Sequence, residues 1–110
     1  MSSGAESRPV VVLTTLSAQT DAATFARMLV AERLAACVNV LPAMMSVYRW
    51  KGEIEEDSEQ QLLIKTTSDC VAALEAKFRE LHPYELPEFL VISATGGSPV
   101  YLEWMGESVK

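Results

Sequence analysis

The stretches Ala36–Trp50, ACVNVLPAMMSVYRW, and Glu53–Thr67, EIEEDSEQQLLIKTT, flank the dipeptide Lys51-Gly52. The first is rich in valine, methionine and aromatic residues and lacks helix start signals, so it reads as a long strand. Pro42 bends that strand, because proline has no N–H to give to a ladder. Gly52 marks the tip of a turn. The second stretch then reads as the returning strand, with Gln61-Leu62-Leu63-Ile64 as its buried part. At ~3.3 Å per residue, strands of about fourteen residues reach about 46 Å. A compact domain of this size has a radius of gyration of only ~13 Å. The tip around Trp50-Lys51-Gly52 therefore overshoots its own core. It carries Val47, Tyr48, Trp50 and Ile54, which favour burial, and a two-stranded ribbon alone is marginal in water. Docking onto a second copy of the chain resolves this, so homo-oligomerisation follows from hairpin length.

The flanking segments fix the rest of the fold. Pro9–Thr15, PVVVLTT, is a continuous aliphatic run expected as a strand buried on both faces. A helix is expected from about Asp21 to Leu34, with Phe25, Ala26, Leu29, Val30 and Leu34 on one side. Arg33 falls inside that arc, so the last turn is expected to fray or meet a polar partner. Thr67-Ser68-Asp69 is expected to cap a second helix, Cys70 to Leu81, whose apolar face is Val71, Leu74, Phe78 and Leu81. His82–Glu88, HPYELPE, is excluded from helix because its prolines force the preceding residues extended. That extended segment leads into FLVISAT (89–95), a third aliphatic strand region and the last core strand. Ser98 is a cap, with Pro99 at the first position of a short amphipathic helix. The order is β-α-β-β-α-β plus that helix: an α+β, ferredoxin-like split βαβ sandwich. Residues 1–8 read as a disordered tail and residues 9–110 as a single domain.

Composition narrows the function classes. The chain has 110 residues, 49% of them apolar, which suits one compact domain. Nine basic and fifteen acidic residues give a net charge of −6. That argues against a nucleic acid or an anionic membrane as the main partner. No apolar h-region follows a basic start, and no apolar run nears the ~18 residues of a membrane span. A soluble, cytoplasmic protein is expected. Cys37 and Cys70 are too few for a disulfide scaffold and fit a reducing compartment.

Several side-chain groups could carry chemistry. Glu53, Glu55, Asp57 and Glu59 alternate, so a regular strand puts all four on one face, about 6.6 Å apart. Such a comb could hold hard divalent cations. It could equally be a solvated face that discourages strand aggregation, and a bulge near Ser58 would break it. His82, Glu85, Glu88 and Cys37 are the candidate transition-metal donors, but no CxxC, HxxxH or HExxH is present. Met28, Met44, Met45 and Met105 could offer thioethers to Cu(I) or simply fill gaps. Cys70 opens a helix yet has no adjacent histidine or resolving cysteine, so a small half-buried residue is expected. TGGSP (95–99) lacks the lysine of a phosphate loop and reads as turn and cap. Lys65 follows a buried run and must pair, snorkel or reach a cleft, with Glu59, Glu85 and Glu88 as candidate partners.

Five segments occur in order: LAACVNV (34–40), YRWKGEIEE (48–56), LLIKTT (62–67), HPYELPE (82–88) and YLEW (101–104). Together they resemble the CutA family of divalent-cation tolerance proteins, from about Val10 to Trp104. The resemblance implies a ferredoxin-like subunit in a tight homotrimer, interlocked through the long hairpin and similar to PII-type signalling proteins. It implies an intersubunit cleft lined by Trp50, Glu59, Lys65, His82, Tyr84 and Trp104. It also implies copper or other divalent cations as ligands, with Cys37 and His82 as candidate metal residues, and no required cofactor. Thr14 and Lys77 stand where some relatives carry cysteine, which leaves Cys37 as the one motif cysteine.

The leading expectation is thus a non-catalytic homotrimer of metal tolerance, binding a divalent cation or a small molecule between subunits. The alternative is a small acylphosphatase-like enzyme on the same fold, using His82 with Glu85 or Glu88 as acid and base. That enzyme needs a phosphate-cradling loop with arginine after the first strand, and LTTLSAQTD (13–21) has neither arginine nor glycine. An RNA-binding module needs a basic aromatic strand, whereas these strands are aliphatic or acidic. A metal chaperone of the CxxC kind is excluded by TTLSAQ (14–19).

Overall fold

The computed structural model describes residues 7–109. The expected tail at residues 1–8 falls mostly outside them. Among the described residues the strands are β1 (Pro9–Ser17), β2 (Cys37–Val40), β3 (Met44–Trp50), β4 (Glu53–Thr67) and β5 (Leu90–Ser93). The helices are α1 (Ala22–Ala31), α2 (Val71–Leu81) and α3 (Pro99–Ser108). The sheet is antiparallel in the order β2-β4-β1-β5, and β3 continues along the β4 edge that β2 occupies.

Alternation along the two central strands builds the core. Val10, Val12 and Leu16 of β1 and Leu62 and Ile64 of β4 face Phe25 and Leu29 of α1 and Leu74 and Phe78 of α2. The opposite face is covered less within one chain. Val11 and Leu13 are only half-buried, which corrects the expectation that β1 is buried on both faces. β5 is likewise exposed along its whole length rather than buried in the core. Thr66, fully buried, satisfies its hydroxyl on the Leu34 carbonyl at 2.8 Å.

The helix boundaries differ from the periodic reading for local reasons. Asp21 caps α1, accepting from the Thr24 hydroxyl at 2.8 Å and the Thr24 N–H at 3.2 Å, and these bonds hold its carboxyl below the usual range. α1 stops at Ala31, not Leu34. Arg33 adopts φ 60, and its N–H and that of Leu34 bond back to the Val30 and Leu29 carbonyls, each at 3.0 Å. This is a Schellman stop with arginine where glycine is usual. The guanidinium finds the polar partner expected of it, the Glu107 carbonyl of α3, at 2.8 Å. Before α2, Ser68–Cys70 forms a 3₁₀ turn, and Cys70 is the N-cap without a side-chain capping bond. Thr67 is the N-cap of that turn, within the expected Thr67-Ser68-Asp69, and α2 itself starts one residue later than expected. Ser98 caps α3 as read, accepting from the Tyr101 N–H at 3.4 Å.

The expected single long strand is two strands. Val40 pairs with Leu62 and Met44 with Glu59, so Leu41, Pro42 and Ala43 face only Gln60 and Gln61. Three residues against two make a bulge, the device by which a strand changes phase. Pro42 suits it, having no N–H to waste, while the Leu41 N–H still reaches the Gln61 carbonyl at 2.9 Å. The phase change has a consequence for function. Val38 and Val40 share the helix-facing side with Leu62 and Ile64. Met44, Ser46, Tyr48 and Trp50, also even-numbered, share the opposite side with Asp57 and Glu59. The register is unbroken at Ser58, so the comb keeps its alternation. Lys51 (φ 51) and Gly52 (φ 85) close the hairpin in a two-residue turn with positive φ at both positions, the type I′ pattern. The molecule is 46 × 27 × 26 Å, with a radius of gyration of 14.8 Å, above the ~13 Å of a compact chain this long. The protruding hairpin exposes Met45, Val47 and Ile54 at 70%, 60% and 68%, so its apolar face lacks cover within one chain.

Candidate ligand groove

α2 ends at Leu81 because Pro83 forces His82 out of helical geometry, to φ −72 and ψ 132. The chain then crosses the end of β1. β5 pairs with β1 only as far as Leu13, and His82 takes the edge beyond. Its Nδ1 accepts the Tyr84 N–H at 3.2 Å, which places the ring proton on Nε2. That nitrogen donates to the Thr15 carbonyl at 2.8 Å, with the Thr14 hydroxyl at 3.4 Å. The ring also packs on Phe25, Phe78 and Tyr84 at centroid distances of 6.0, 5.8 and 4.9 Å. Burial disfavours its charged form and lowers its pKa, against the opposing pull of the Thr15 carbonyl and Glu59.

With its backbone fixed by His82, Tyr84 donates its hydroxyl to Glu59 at 2.7 Å. Burial first, and then this bond, push the Tyr84 phenol well above its ordinary value. Glu59 is the inner end of the carboxylate comb and is only 8% exposed, whereas Glu53, Glu55 and Asp57 are exposed. One step outward, the Tyr48 hydroxyl donates to Asp57, and chiefly for that reason its pKa is pushed up to about 12. The hairpin and the segment from Tyr84 to Glu88 enclose an open groove of about 930 Å³. Gln61 ties its floor together, donating to the Thr14 carbonyl at 2.7 Å and to Glu88 at 3.1 Å.

The residues expected at the cleft divide into two groups. Trp50, Glu59 and Tyr84 line the groove, and His82 supports it from behind. Lys65 and Trp104 lie elsewhere: the Lys65 ammonium is 5.9 Å from the Tyr101 ring, which is 5.3 Å from Trp104. Lys65 makes no ion pair with Glu59, Glu85 or Glu88 among the described residues, contrary to the partners considered for it. Lys65 and Glu59 share one face of β4 six residues apart, a separation of about 20 Å at the strand rise. Tyr48 joins the groove although only its apolar character was legible. Its position opposite the comb depends on the bulge.

The metal candidates are also apart. Cys37 pairs with Lys65 in the β2–β4 ladder, and its thiol has Asn39 at 4.0 Å. Among the described residues no three His, Cys, Asp or Glu side chains are grouped to hold a metal. Ligation through His82 Nδ1 requires release of the Tyr84 N–H. The acid–base pairing of His82 with Glu85 or Glu88 is not formed, since both ring nitrogens are engaged with Thr15 and Tyr84. Thr14 is fully buried against His82. Lys77 bridges to Glu32 at 3.0 Å, and that bond raises its pKa. Cys70 is buried beside the Thr67 hydroxyl at 3.5 Å.

The fold and the groove define a small mixed α/β protein with three helices on an antiparallel sheet and a concave site beside a projecting hairpin. Known structures share this fold. The structure of the divalent cation tolerance protein (Cut A1) from Thermus thermophilus superposes with a TM-score of 0.89 at 43% identity, covering 93% of this chain and 99% of that one. CutA1 from Oryza sativa superposes with a TM-score of 0.88 at 35% identity, covering 96% and 97%. In sequence, the divalent-cation tolerance protein CutA of Thermus thermophilus is 45% identical over 89% of this chain and 95% of its own length. Protein CutA of Mus musculus is 50% identical over 73% of this chain, which spans only 45% of the mouse protein. Residues 10–108 match the family of the CutA1 divalent ion tolerance protein. The chain belongs to the CutA1 family. No helix among its described residues is long and apolar enough to cross a membrane.

Proposed function

We propose that this protein is a non-catalytic, cytoplasmic homotrimer of divalent metal ion tolerance whose intersubunit clefts bind copper, another divalent cation or a small ligand. The observation that carries this reading is the division of the site. The groove residues and the Lys65–Tyr101–Trp104 group lie about 20 Å apart on one strand face, too far to meet one small ligand within a chain. Two copies could bring the groove of one against the lysine group of the other. The uncovered apolar face of the hairpin supports such packing. With β2 and β3 counted as one interrupted strand, the order is the ferredoxin-like one, and a trimer of such subunits would be PII-like. The relatives' names supply the divalent cation.

Calorimetric titration of the metal-free protein with Cu(II) tests the metal part. The wild type is expected to bind more tightly than a Cys37→Ala, His82→Ala double variant, with both measured well below their melting midpoints. Equal binding by the two proteins would remove Cys37 and His82 from the metal site.

A further inference from the structure

The lining of the groove favours one class of small ligand. Asp57, Glu59, Glu85 and Glu88 face it with a single cation, Arg49. Asp57 already receives the Tyr48 hydroxyl, and Glu88 the Gln61 amide. Glu59 differs from both. Its side chain is 8% exposed, and one carboxylate oxygen accepts from Tyr84. The other oxygen has no hydrogen-bond or ion-pair partner among the described residues, although the residue lines the groove. A nearly buried carboxylate with one acceptor oxygen left open to a groove is best complemented by a charged N–H donor.

A hard divalent ion needs several oxygen ligands in reach, and the described residues offer no such grouping. An organic cation needs less: one carboxylate and aromatic faces. Trp50, Tyr48 and Tyr84 supply those faces. The volume, about 930 Å³, lies within the ~300–1,000 Å³ typical of small-molecule sites. We propose that the groove binds a small organic cation carrying an amidinium, guanidinium or alkylammonium group, with Glu59 as its counter-ion and Trp50 and Tyr48 as its walls. This rests on reading the groove as the ligand-binding half of the cleft.

The probe is benzamidine, a planar amidinium, with neutral benzamide as its isostere. Both are titrated calorimetrically into the native protein, and the mass of the assembly is measured on the same sample. Saturable binding of benzamidine is expected, weakened at least about tenfold for benzamide and in Glu59→Gln, as befits loss of a charge-assisted bond. Equal binding of benzamide overturns the proposal, as does undiminished binding by a folded Glu59→Gln. A trimer that ignores benzamidine overturns it while leaving the intersubunit cleft standing. A monomer that still binds benzamidine supports it while removing that cleft.

Discussion

Phe78→Ala is expected to lower the unfolding free energy by about 3–5 kcal/mol, the range for truncating a buried phenylalanine. Phe78 is 2% exposed and is the largest of the fully buried side chains. Its ring meets Phe25 and Phe89 edge-on at 5.5 and 5.0 Å and lies 5.8 Å from His82. Truncation leaves a void that α1, α2 and the sheet can close only in part. It also removes the surface against which His82 and Phe89 are held, so both ends of HPYELPE loosen. Phe78→Leu, closer in volume, is expected to cost about 1–2 kcal/mol. Denaturant titration measures both. A loss below about 1 kcal/mol for Phe78→Ala would contradict the core assignment.

His82→Ala is expected to cost about 2–4 kcal/mol, because one buried and one partly buried backbone group lose their partner. The Thr15 carbonyl and the Tyr84 N–H are those groups. The effect depends on pH, and its sign is fixed by the direction of the pKa shift. The folded ring has a lowered pKa, whereas the unfolded ring titrates near ~6.5. Between those values the unfolded state binds more protons, so stability rises with pH and is lost as pH falls below about 6.5. Above that value both rings are neutral and the shift contributes nothing. Denaturant titrations of both proteins at pH 7.5 and 5.5 are therefore expected to show the gap between wild type and variant narrowing in acid. A gap that stays constant or widens would show that the ring is not held neutral by its pocket.

The sequence carried most of the secondary structure and half of the site. The hairpin, the Ser98-Pro99 helix start and the extended HPYELPE follow from local chemistry, and local chemistry decided them. The end of α1 was not legible, because Arg33 occupies a left-handed position that glycine or asparagine would have advertised. The bulge at Leu41–Ala43 was only half legible. Pro42 announced a break, but a change of phase appears only once β2 is fixed by Val38 and Val40 and β3 by its two-residue turn. Without that phase change the place of Tyr48 and Trp50 beside the comb could not be read. The Glu59–Tyr84 bond joins residues 25 apart in the chain, and no local pattern encodes it. The family resemblance supplied six cleft residues without their division. Lys65 and Trp104 part from Trp50, Glu59 and Tyr84 only in three dimensions, along the length of β4.

That division makes the assembly the decisive quantity: the two groups act on one ligand only if separate copies bring them together. Native mass spectrometry of the protein taken directly from cells measures this, together with any ligand or metal retained. A species of three times the 12.1 kDa chain mass is expected. A species at 12.1 kDa would contradict the trimer and, with it, the shared cleft.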